Sequence, residues 1–465
     1  MPSPSFSRQS LSTLRVRATA GAALACALSG LSPAVHAQNL QELYTAARGY
    51  DTAYQSARLQ ADSVVYKAEQ SRALNRPTVN ATGTALINNA NTPYSSTTAT
   101  HTSQQSLGVT ASQSLFNVGN QRTIDQAERA IDVARAQLTA AEQDLIVRVA
   151  QAYFDVLAST DALATVRASK AAISEQLASA KRNFEVGTAT ITDTREAQAR
   201  YDLAVAQELA AENDLNVKQL ALDGVIGRTG AKPKPMAVPV VLPKVEPADV
   251  EAWVTQADAV NPSLRQLRLA ADVAALEIEK ARAGNLPTVG LSASFTDAHT
   301  RLSGDVRTGA GAIVPFGPNS GTGNTTNIAV QVSIPLFAGW SIQNRIKETL
   351  SLQEKSQSDL EAGRRGVAQG TRSAFFGVKS LQAQVAALEA AESSSKLALE
   401  STQLGYKVGV RVNLDVLNAQ TQLFQAQRDL AKARYDVVVN GLKLKQAAGT
   451  LSAQDVTAVN ALLAR

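Results

Sequence analysis

The chain has 465 residues, of which 45% are hydrophobic and 18% charged, a composition that indicates an ordered fold rather than a low-complexity chain. The formal charge of +5 falls to +2 once residues 1–37 are set aside, because that segment holds Arg8, Arg15 and Arg17 and no acidic residue. A nearly neutral remainder argues against nucleic acid as a partner, since phosphate binding needs clustered Lys and Arg.

Residues 1–37 have the layout of a secretory signal peptide. Arginines precede a mostly apolar run from Ala18 to Leu31, and small residues stand at the −3 and −1 positions of a cleavage site before Gln38. We expect the mature chain to begin at Gln38, with acylation of Cys26, as in a lipoprotein, as the alternative. Because Cys26 is the only cysteine, the remainder has no disulfide, thiolate metal site or cysteine nucleophile.

The rest of the chain carries one pattern twice. Asn75–Val79 returns as Asn285–Val289, 210 positions later, and Val186-Gly187 returns as Val408-Gly409 at an offset of 222. The repeat is far longer than a solenoid unit, so it indicates a duplicated half-domain.

Each half opens with a helical segment. Residues 38–75 and 247–285 have helical periodicity and are rich in Ala, Leu, Gln and charged residues. Pro77 and Pro287 end these segments, because proline lacks the donor that a helix needs. No later stretch reaches ~18 uncharged apolar residues, so any membrane crossing requires a closed β-barrel.

Alternation of apolar and polar residues follows each helical segment, most clearly over Val289–Thr296. Four such stretches of about 9–11 residues are predicted to be strands, long enough to cross a bilayer at a tilt. The intervening segments 88–105 and 297–327, rich in Asn, Thr, Ser and Gly, are predicted to be outer loops. Two hairpins of a soluble sheet are the alternative, but polar faces nearly free of charge and long loops favour membrane strands.

Long helices follow each hairpin. Residues 119–183 and 340–405 contain no proline, and about 65 helical residues extend about 100 Å. Past a glycine-centred turn, 190–227 and 412–448 are predicted to return as helices of roughly 55 Å. Two short helices placed end to end match one long helix, which suits a coiled-coil-like wall.

Four predicted strands cannot close a membrane barrel, because the smallest such barrels have about eight. An open sheet would expose unpaired backbone groups to lipid at several kcal/mol each. Several copies must therefore complete the barrel. Three copies give twelve strands, although the sequence itself does not fix the number.

This layout resembles the TolC family of outer-membrane efflux and type I secretion channels over nearly the whole chain after residue 37. The residues that carry the resemblance are the two Pro-Thr-Val segments, Leu115-Phe116, Leu336-Phe337, and the paired turns Val186–Asp193 and Tyr406–Asp415. It implies a mixed fold, in which long antiparallel periplasmic helices form an α-helical barrel and each subunit of a homotrimer adds four strands to a twelve-stranded membrane β-barrel. It also implies an outer-membrane location, contact with outer-membrane lipid, and docking to a periplasmic adaptor (membrane fusion) protein and an inner-membrane ABC or proton-driven pump.

The predicted division of the chain follows the repeat. After the signal peptide, each half has a helical segment, a membrane hairpin and a long helical hairpin, and a proline-rich linker joins the halves. The predicted bounds are 1–37, 38–77, 78–118, 119–230, the linker 231–246, then 247–287, 288–338, 339–449, and a C-terminal tail at 450–465.

The two turns are predicted to be the functional end, because that end of the tunnel must open. The resemblance assigns a latch of hydrogen bonds and ion pairs to Thr192, Asp193, Tyr406 and Arg411. It makes Asp415 an acidic ring that narrows the entrance and selects cations; where a second carboxylate occurs in the family, this chain has Asn418. Adaptor docking is assigned to Val186, Gly187, Thr188, Val408, Gly409 and Val410. From the residues alone, helix capping by Asp193 and plain turn formation by the Val-Gly pairs remain open.

Aromatic residues mark the points where strands become helices. Phe116, Phe337 and Trp340 predict an interfacial aromatic belt, with core packing as the alternative. Trp340 stands where family members commonly have a second glycine after the Leu-Phe pair. We take this departure as local variation at the corner.

Enzyme chemistry is not expected. The sequence has no phosphate-cradling glycine loop, His-Glu-x-x-His motif or Gly-x-Ser-x-Gly elbow, and His101 and His299 lie in predicted outer loops. We therefore expect no catalytic residue, metal or cofactor, which counts against a cell-wall or lipid hydrolase. A secreted or surface coiled-coil structural protein is the alternative, which explains the helices but not the matched hairpins. The cargo, whether proteins or small drugs, stays open.

Overall fold

The structure, a computed structural model, describes residues 38–92, 97–237, 239–240 and 242–464. The predicted signal peptide lies outside the described residues. Both halves of the chain contain the same succession of two short helices, a β-hairpin, a long helix and a shorter returning helix. None of the helices within the described ranges combines the length and apolar character that a membrane span needs.

The elements are numbered in chain order. The first half contains α1 (Leu40–Tyr50), α2 (Thr52–Arg72), β1 (Thr78–Asn91), β2 (Thr97–Phe116), α3 (Val118–Glu185) and α4 (Ile191–Ile226). The second half contains α5 (Val250–Val260), α6 (Pro262–Ala283), β3 (Thr288–Arg307), β4 (Ile313–Ser333), α7 (Ser341–Lys407) and α8 (Asn413–Ala447). A last helix, α9 (Ala453–Asn460), follows the second half.

The two long helices are uninterrupted. α3 has 68 residues and α7 has 67, so each is about 100 Å long. α4 packs along α3 and α8 along α7, while α2, α6 and α8 also pack against α3. α3 therefore runs from the foot of the sheet to the turn at the opposite end, and it is the element on which both halves assemble.

Each short helical segment is broken once, so the continuous helices predicted there are wrong. Asp51 separates α1 from α2, and its carboxylate accepts a hydrogen bond from the Tyr54 N–H at 2.8 Å. Asn261 caps α6 in the same way, and Pro262 occupies the first position of that helix. A short polar side chain of this kind accepts hydrogen bonds from the free N–H groups at the start of a new helix. The preceding helix therefore ends there, and proline at the first position of the new helix favours the break.

The break in each half receives the end of the returning helix. Gly227, with φ +70°, lies against the ring of Tyr50, and Gly449, with φ +75°, lies against the main chain of Asn261. A Cβ atom at Gly449 would stand 2.4 Å from the Asn261 Cα. The Asn261 side chain also donates to the Ala447 carbonyl at 2.8 Å. Only glycine combines the left-handed backbone with this close approach.

The four strands form one antiparallel sheet in the order β1-β2-β3-β4. Because β2 pairs with β3, the two halves share this sheet, and β1 and β4 are its edges. The strands have 14, 20, 20 and 21 residues, about twice the predicted length in three of the four.

The long outer loops predicted at 88–105 and 297–327 are therefore wrong, since most of both segments is strand. Their Asn, Thr, Ser and Gly residues continue the ladder on both hairpins, with one register shift between Leu302 and Gly304 in the second. Strand formation depends on cross-strand pairing more than on the preference of single residues, so a loop-like composition misleads here. The same error placed His101 and His299 in loops, whereas they lie within β2 and β3.

The register gives the sheet two faces of different character. One row across the sheet joins Val79, Ala111, Ala293 and Ile328, and the row beside it joins Asn80, Thr110, Ser294 and Asn327. We call the side of the first row the apolar face and the side of the second row the polar face. The described residues leave the apolar face uncovered, because Val79 is 68% and Ile328 77% exposed.

The main hydrophobic core surrounds the middle of α3. Tyr153 and Phe154 are fully buried there among residues of α1, α8 and α9. The Arg148 guanidinium, on the same stretch of α3, donates to the Asp51 carboxylate at 2.7 and 3.0 Å. These hydrogen bonds hold the pKa of Asp51 below its usual value. The core thus fixes the helices midway between the sheet and the turns.

Candidate functional site: the two helical turns

The two turns at the far end of the helical hairpins have the same construction. The first turn, 186–190, joins α3 to α4, and the second turn, 408–412, joins α7 to α8. Gly187 and Gly409 have φ of +78° and +82°, so glycine supplies the left-handed residue that reverses each chain. In each turn one carbonyl, of Asn183 or of Gly405, accepts hydrogen bonds from the two N–H groups after the glycine, at 2.8 to 3.2 Å.

Asp193 is held within the first turn. Its carboxylate accepts from the Thr190 N–H at 2.9 Å and from the Thr190 hydroxyl at 2.7 Å, and the Asp193 N–H donates back to that hydroxyl at 3.2 Å. This capping box orders the start of α4. Thr192 is exposed beside it. Among the described residues, neither Thr192 nor Asp193 forms a hydrogen bond or ion pair with Tyr406 or Arg411.

The second turn brings Arg411 and Asp415 together, although the resemblance gave them separate roles. The Arg411 Nη1 lies 3.7 Å from the Asp415 Oδ2, with the two side chains 62% and 38% exposed. Gly405 leaves room for this arginine, since a Cβ atom there would stand 2.8 Å from the Arg411 Cγ. The acidic group at the predicted entrance is therefore partly neutralised within its own chain.

A side-chain hydrogen bond joins the two turns. The Asn183 Nδ2 donates to the Tyr406 hydroxyl at 3.2 Å, which ties the end of α3 to the end of α7. Asn183 was not among the predicted site residues. The repeat did contain a signal, because Asn183 stands 222 positions before Gly405, whose carbonyl has the same role in the second turn.

Polar contacts continue just above the turns. The Arg200 Nη2 on α4 donates to the Asn418 Oδ1 on α8 at 2.9 Å, and the Gln176 side chain on α3 is hydrogen-bonded to that of Asn413. Asn413 and Gln420 are buried, and no group in the described part of the chain hydrogen-bonds to the Nδ2 of Asn413 or the Oε1 of Gln420. Leu417 of α8 belongs to the same buried apolar cluster as Ile173 and Leu177 of α3, so apolar packing accompanies these polar contacts.

The predicted docking positions are at the surface of the turns. Val186, Val408 and Val410 are 72%, 65% and 75% exposed in the described structure. No heavy atom of the described ranges lies within 4 Å of the position that a Cβ would take at Gly187 or Gly409. The left-handed φ, rather than crowding, is what requires glycine at these two positions.

The aromatic residues at the sheet-to-helix corners are not buried within the chain. Phe116, Phe337 and Trp340 are 48%, 75% and 65% exposed, and the last two pack edge to face with ring centroids 6.1 Å apart. Trp340 has φ +63°, directly after Gly339 at +58°. The position at which the family pattern has its second glycine thus has a left-handed backbone. A tryptophan at this position adopts that backbone at a strain of roughly 1–2 kcal/mol.

The described residues contain no group of three or more His, Cys, Asp or Glu side chains placed to hold a metal ion. The two histidines of the sheet are engaged separately. The His101 Nδ1 lies 2.8 Å from the Asn89 Oδ1, and the His299 Nδ1 lies 3.1 Å from the Thr322 hydroxyl.

Comparison with known sequences identifies close relatives. A profile of the family described as outer membrane efflux protein matches residues 43–228 and 253–450. The chain is 34% identical over 438 residues to the outer membrane protein TolC of Vibrio cholerae, covering 94% of this chain and 97% of that one. It is 33% identical over 328 residues to the alkaline protease secretion protein AprF of Pseudomonas aeruginosa, covering 69% of this chain and 64% of that one.

Comparison with solved structures gives the same fold. The outer membrane protein VceC of Vibrio cholerae superimposes with a TM-score of 0.71 over 88% of this chain and 96% of that one, at 18% identity. Two repeats of sheet and long helices are therefore shared well beyond sequence similarity.

Proposed function

The chain belongs to the outer membrane efflux protein family as an export channel of the outer membrane and not an enzyme, and from this premise we propose that three copies assemble into one duct. In this trimer β1 of each subunit pairs with β4 of the next to close a barrel of twelve strands. The long helices form a tunnel through the periplasm. A periplasmic adaptor protein and an inner-membrane ABC or proton-driven pump complete the path and supply the energy.

The observation that carries the proposal is the sheet that is open at both edges. The half of its apolar face that lies nearer the helices is left uncovered by the described residues, and lipid covers apolar side chains such as Val79 and Ile328 without loss. Lipid cannot, however, satisfy the free N–H and C=O groups along β1 and β4. Pairing between neighbouring subunits satisfies both edges at once, and a head-to-tail contact of this kind closes into a ring.

Cysteine cross-linking tests this closure, because the chain has no cysteine after Cys26. Thr82→Cys on β1 is combined in turn with cysteine at successive polar-face positions of β4, namely Gly321, Gly323, Thr325, Asn327 and Ala329. Oxidation in isolated outer membranes is expected to yield covalent trimers for the combination in register.

Each single-cysteine variant is the matched control for the cross-link. Head-to-tail pairing never places two β1 strands or two β4 strands side by side, so the single variants are expected to stay monomeric after denaturation. Covalent dimers from Thr82→Cys alone, or no cross-link at any β4 position, would contradict the proposed closure.

The two turns are proposed as the end that opens and that binds the adaptor. Support for docking comes from the exposed valines of both turns, which surround a rigid glycine reversal. The latch residues Thr192, Asp193, Tyr406 and Arg411 are proposed to act between neighbouring coils. Among the described residues of one chain, the Tyr406 hydroxyl is hydrogen-bonded to Asn183, and the Arg411 guanidinium is paired with Asp415. Asp415 is proposed to form the acidic entrance ring once Arg411 has moved away from it.

The names of the relatives bear on the cargo. AprF is named for secretion of an alkaline protease, whereas the family as a whole is named for efflux. We propose that the channel serves as a passive duct and that the adaptor and pump choose between protein and small-molecule cargo.

The exposed aromatic residues at the corners are proposed to lie at the membrane interface, and the two tryptophans make this testable. Trp253 is 4% exposed in a core, whereas Trp340 is 65% exposed beside Phe337. In a Trp253→Phe variant, the fluorescence of Trp340 is expected to be quenched by lipids brominated near the headgroup. The Trp340→Phe variant, which reports on Trp253 alone, is the control and should keep its emission. Equal quenching of both would contradict the interfacial position.

A further inference from the structure

The ionisable residues of the sheet are distributed unequally between its faces. The strands contain six of them, and the pairing register and strand alternation place all six on the side of the apolar face, towards its outer end. They are His101, Asp297, His299, Arg301, Asp305 and Arg307. The polar face carries only hydroxyl, amide and small side chains with an occasional apolar one, so it is a wall without charge.

One charged side chain stands at the foot of this wall. Arg76 lines a cavity of about 590 Å³ together with residues of the polar face. Those residues include Thr78, Ser112, Ser114, Ser292 and Gln331. The Arg76 side chain is 64% exposed, and the matching position of the second half is Leu286, so each chain supplies one such cation.

The partners of Arg76 leave its charge available to the cavity. Its Nη2 lies 3.5 Å from the Glu69 Oε2, but Glu69 is shared with Arg72, which also binds Glu128 at 2.7 Å. Of these four charged residues, Arg76 alone lines the cavity. An exposed pair of this length contributes little, about 0–1 kcal/mol, so it does not fix the guanidinium against a competing anion.

We propose that Arg76 forms a cationic ring at the inner mouth of the barrel, which attracts carboxylate or phosphate groups of the cargo. The inference rests on the proposed trimer, in which the polar face lines the lumen and three copies of Arg76 surround it. Because the wall above the ring is uncharged, no other charge of the sheet competes with it on that face. The ring therefore favours anionic cargo at the step from the helical tunnel into the barrel.

A thiol placed beside the ring measures its potential. Ser292→Cys lines the same cavity and provides the single thiol of the mature chain. Its rates of reaction with an anionic and a cationic methanethiosulfonate reagent are compared in isolated outer membranes. Adding Arg76→Gln is expected to lower the anionic-to-cationic rate ratio on the order of fivefold, since one charge at this range speeds one reagent and slows the other. Arg76→Lys should preserve the ratio.

Arg72→Gln is the matched control, because it removes the same charge from the same cluster outside the cavity. It is expected to leave the ratio unchanged. An unchanged ratio for Arg76→Gln in intact trimers, or an equal fall for Arg72→Gln, would overturn the inference while leaving the proposed duct standing. Absence of the trimer in the unsubstituted protein would overturn the duct and the ring together.

Discussion

Replacing Tyr406 by phenylalanine together with Arg411 by serine is expected to raise the mean single-channel conductance in planar bilayers several-fold. The pair of changes removes the hydroxyl that accepts from Asn183 and the guanidinium 3.7 Å from Asp415. Each exposed contact of this kind contributes only ~0.2–1 kcal/mol. The contacts that Tyr406 and Arg411 are proposed to form between neighbouring coils nevertheless add up over three subunits, and every 1.4 kcal/mol shifts the closed-to-open ratio about tenfold.

Two further variants separate the possible origins of this effect. Arg428→Ser removes an exposed arginine of α8 that is paired with Asp429 at 3.0 Å, away from the turns, and should leave conductance unchanged. Asn183→Ala removes only the donor to Tyr406 and is expected to reproduce the tyrosine part of the effect. If Tyr406→Phe raises conductance and Asn183→Ala does not, Tyr406 acts across subunits. No change in the double variant would remove both residues from the latch.

Replacing Gly449 by alanine is expected to destabilise the fold by about 3–5 kcal/mol, a size reserved for a few well-defined causes. Its φ of +75° alone costs a non-glycine residue about 1–2 kcal/mol. The larger part is steric, because the new Cβ would stand 2.4 Å from the Asn261 Cα and 2.8 Å from its nitrogen. The start of α6 would have to move away and lose the hydrogen bond from Asn261 to the Ala447 carbonyl.

Gly230→Ala measures separately the part of this destabilisation that comes from the left-handed backbone alone. Gly230 has φ +77°, and none of the heavy atoms that the structure describes lies within 4 Å of the position a Cβ would take there. Thermal or guanidinium unfolding in detergent, followed by circular dichroism, should therefore show a small shift for Gly230→Ala and a much larger one for Gly449→Ala. Equal shifts would show that the contact between Gly449 and Asn261 adds nothing.

Part of the fold follows directly from local signals in the sequence. The long helices were predictable because no proline interrupts them, and the glycine of each turn marks where they reverse. The length of the strands was not predictable, because residues such as those of β4 between Ile313 and Asn327 form a strand only by pairing with β3. The breaks at Asp51 and Asn261 were missed because the helical periodicity of the surrounding residues is a stronger signal in the sequence than a single capping side chain.

The candidate site was predictable as a location but not as a set of contacts. The repeat pointed to the two turns, and the exposed valines lie there. The approach of Arg411 to Asp415 and the bond from Asn183 to Tyr406 depend on how side chains are directed from packed helices, which periodicity does not reveal. The left-handed backbone of Trp340 likewise depends on the three-dimensional path of the chain between β4 and α7, which the sequence pattern does not specify.

The two turns share a glycine reversal, yet they present different chemistry, Thr-Ala-Thr after Gly187 and Val-Arg-Val after Gly409. In the proposed trimer the six turns, two from each subunit, alternate around the rim, so the rim has only approximate sixfold symmetry. A partner that binds the whole rim would consequently form two different kinds of contact. A substitution that removes one kind would leave the other three of the six contact sites intact.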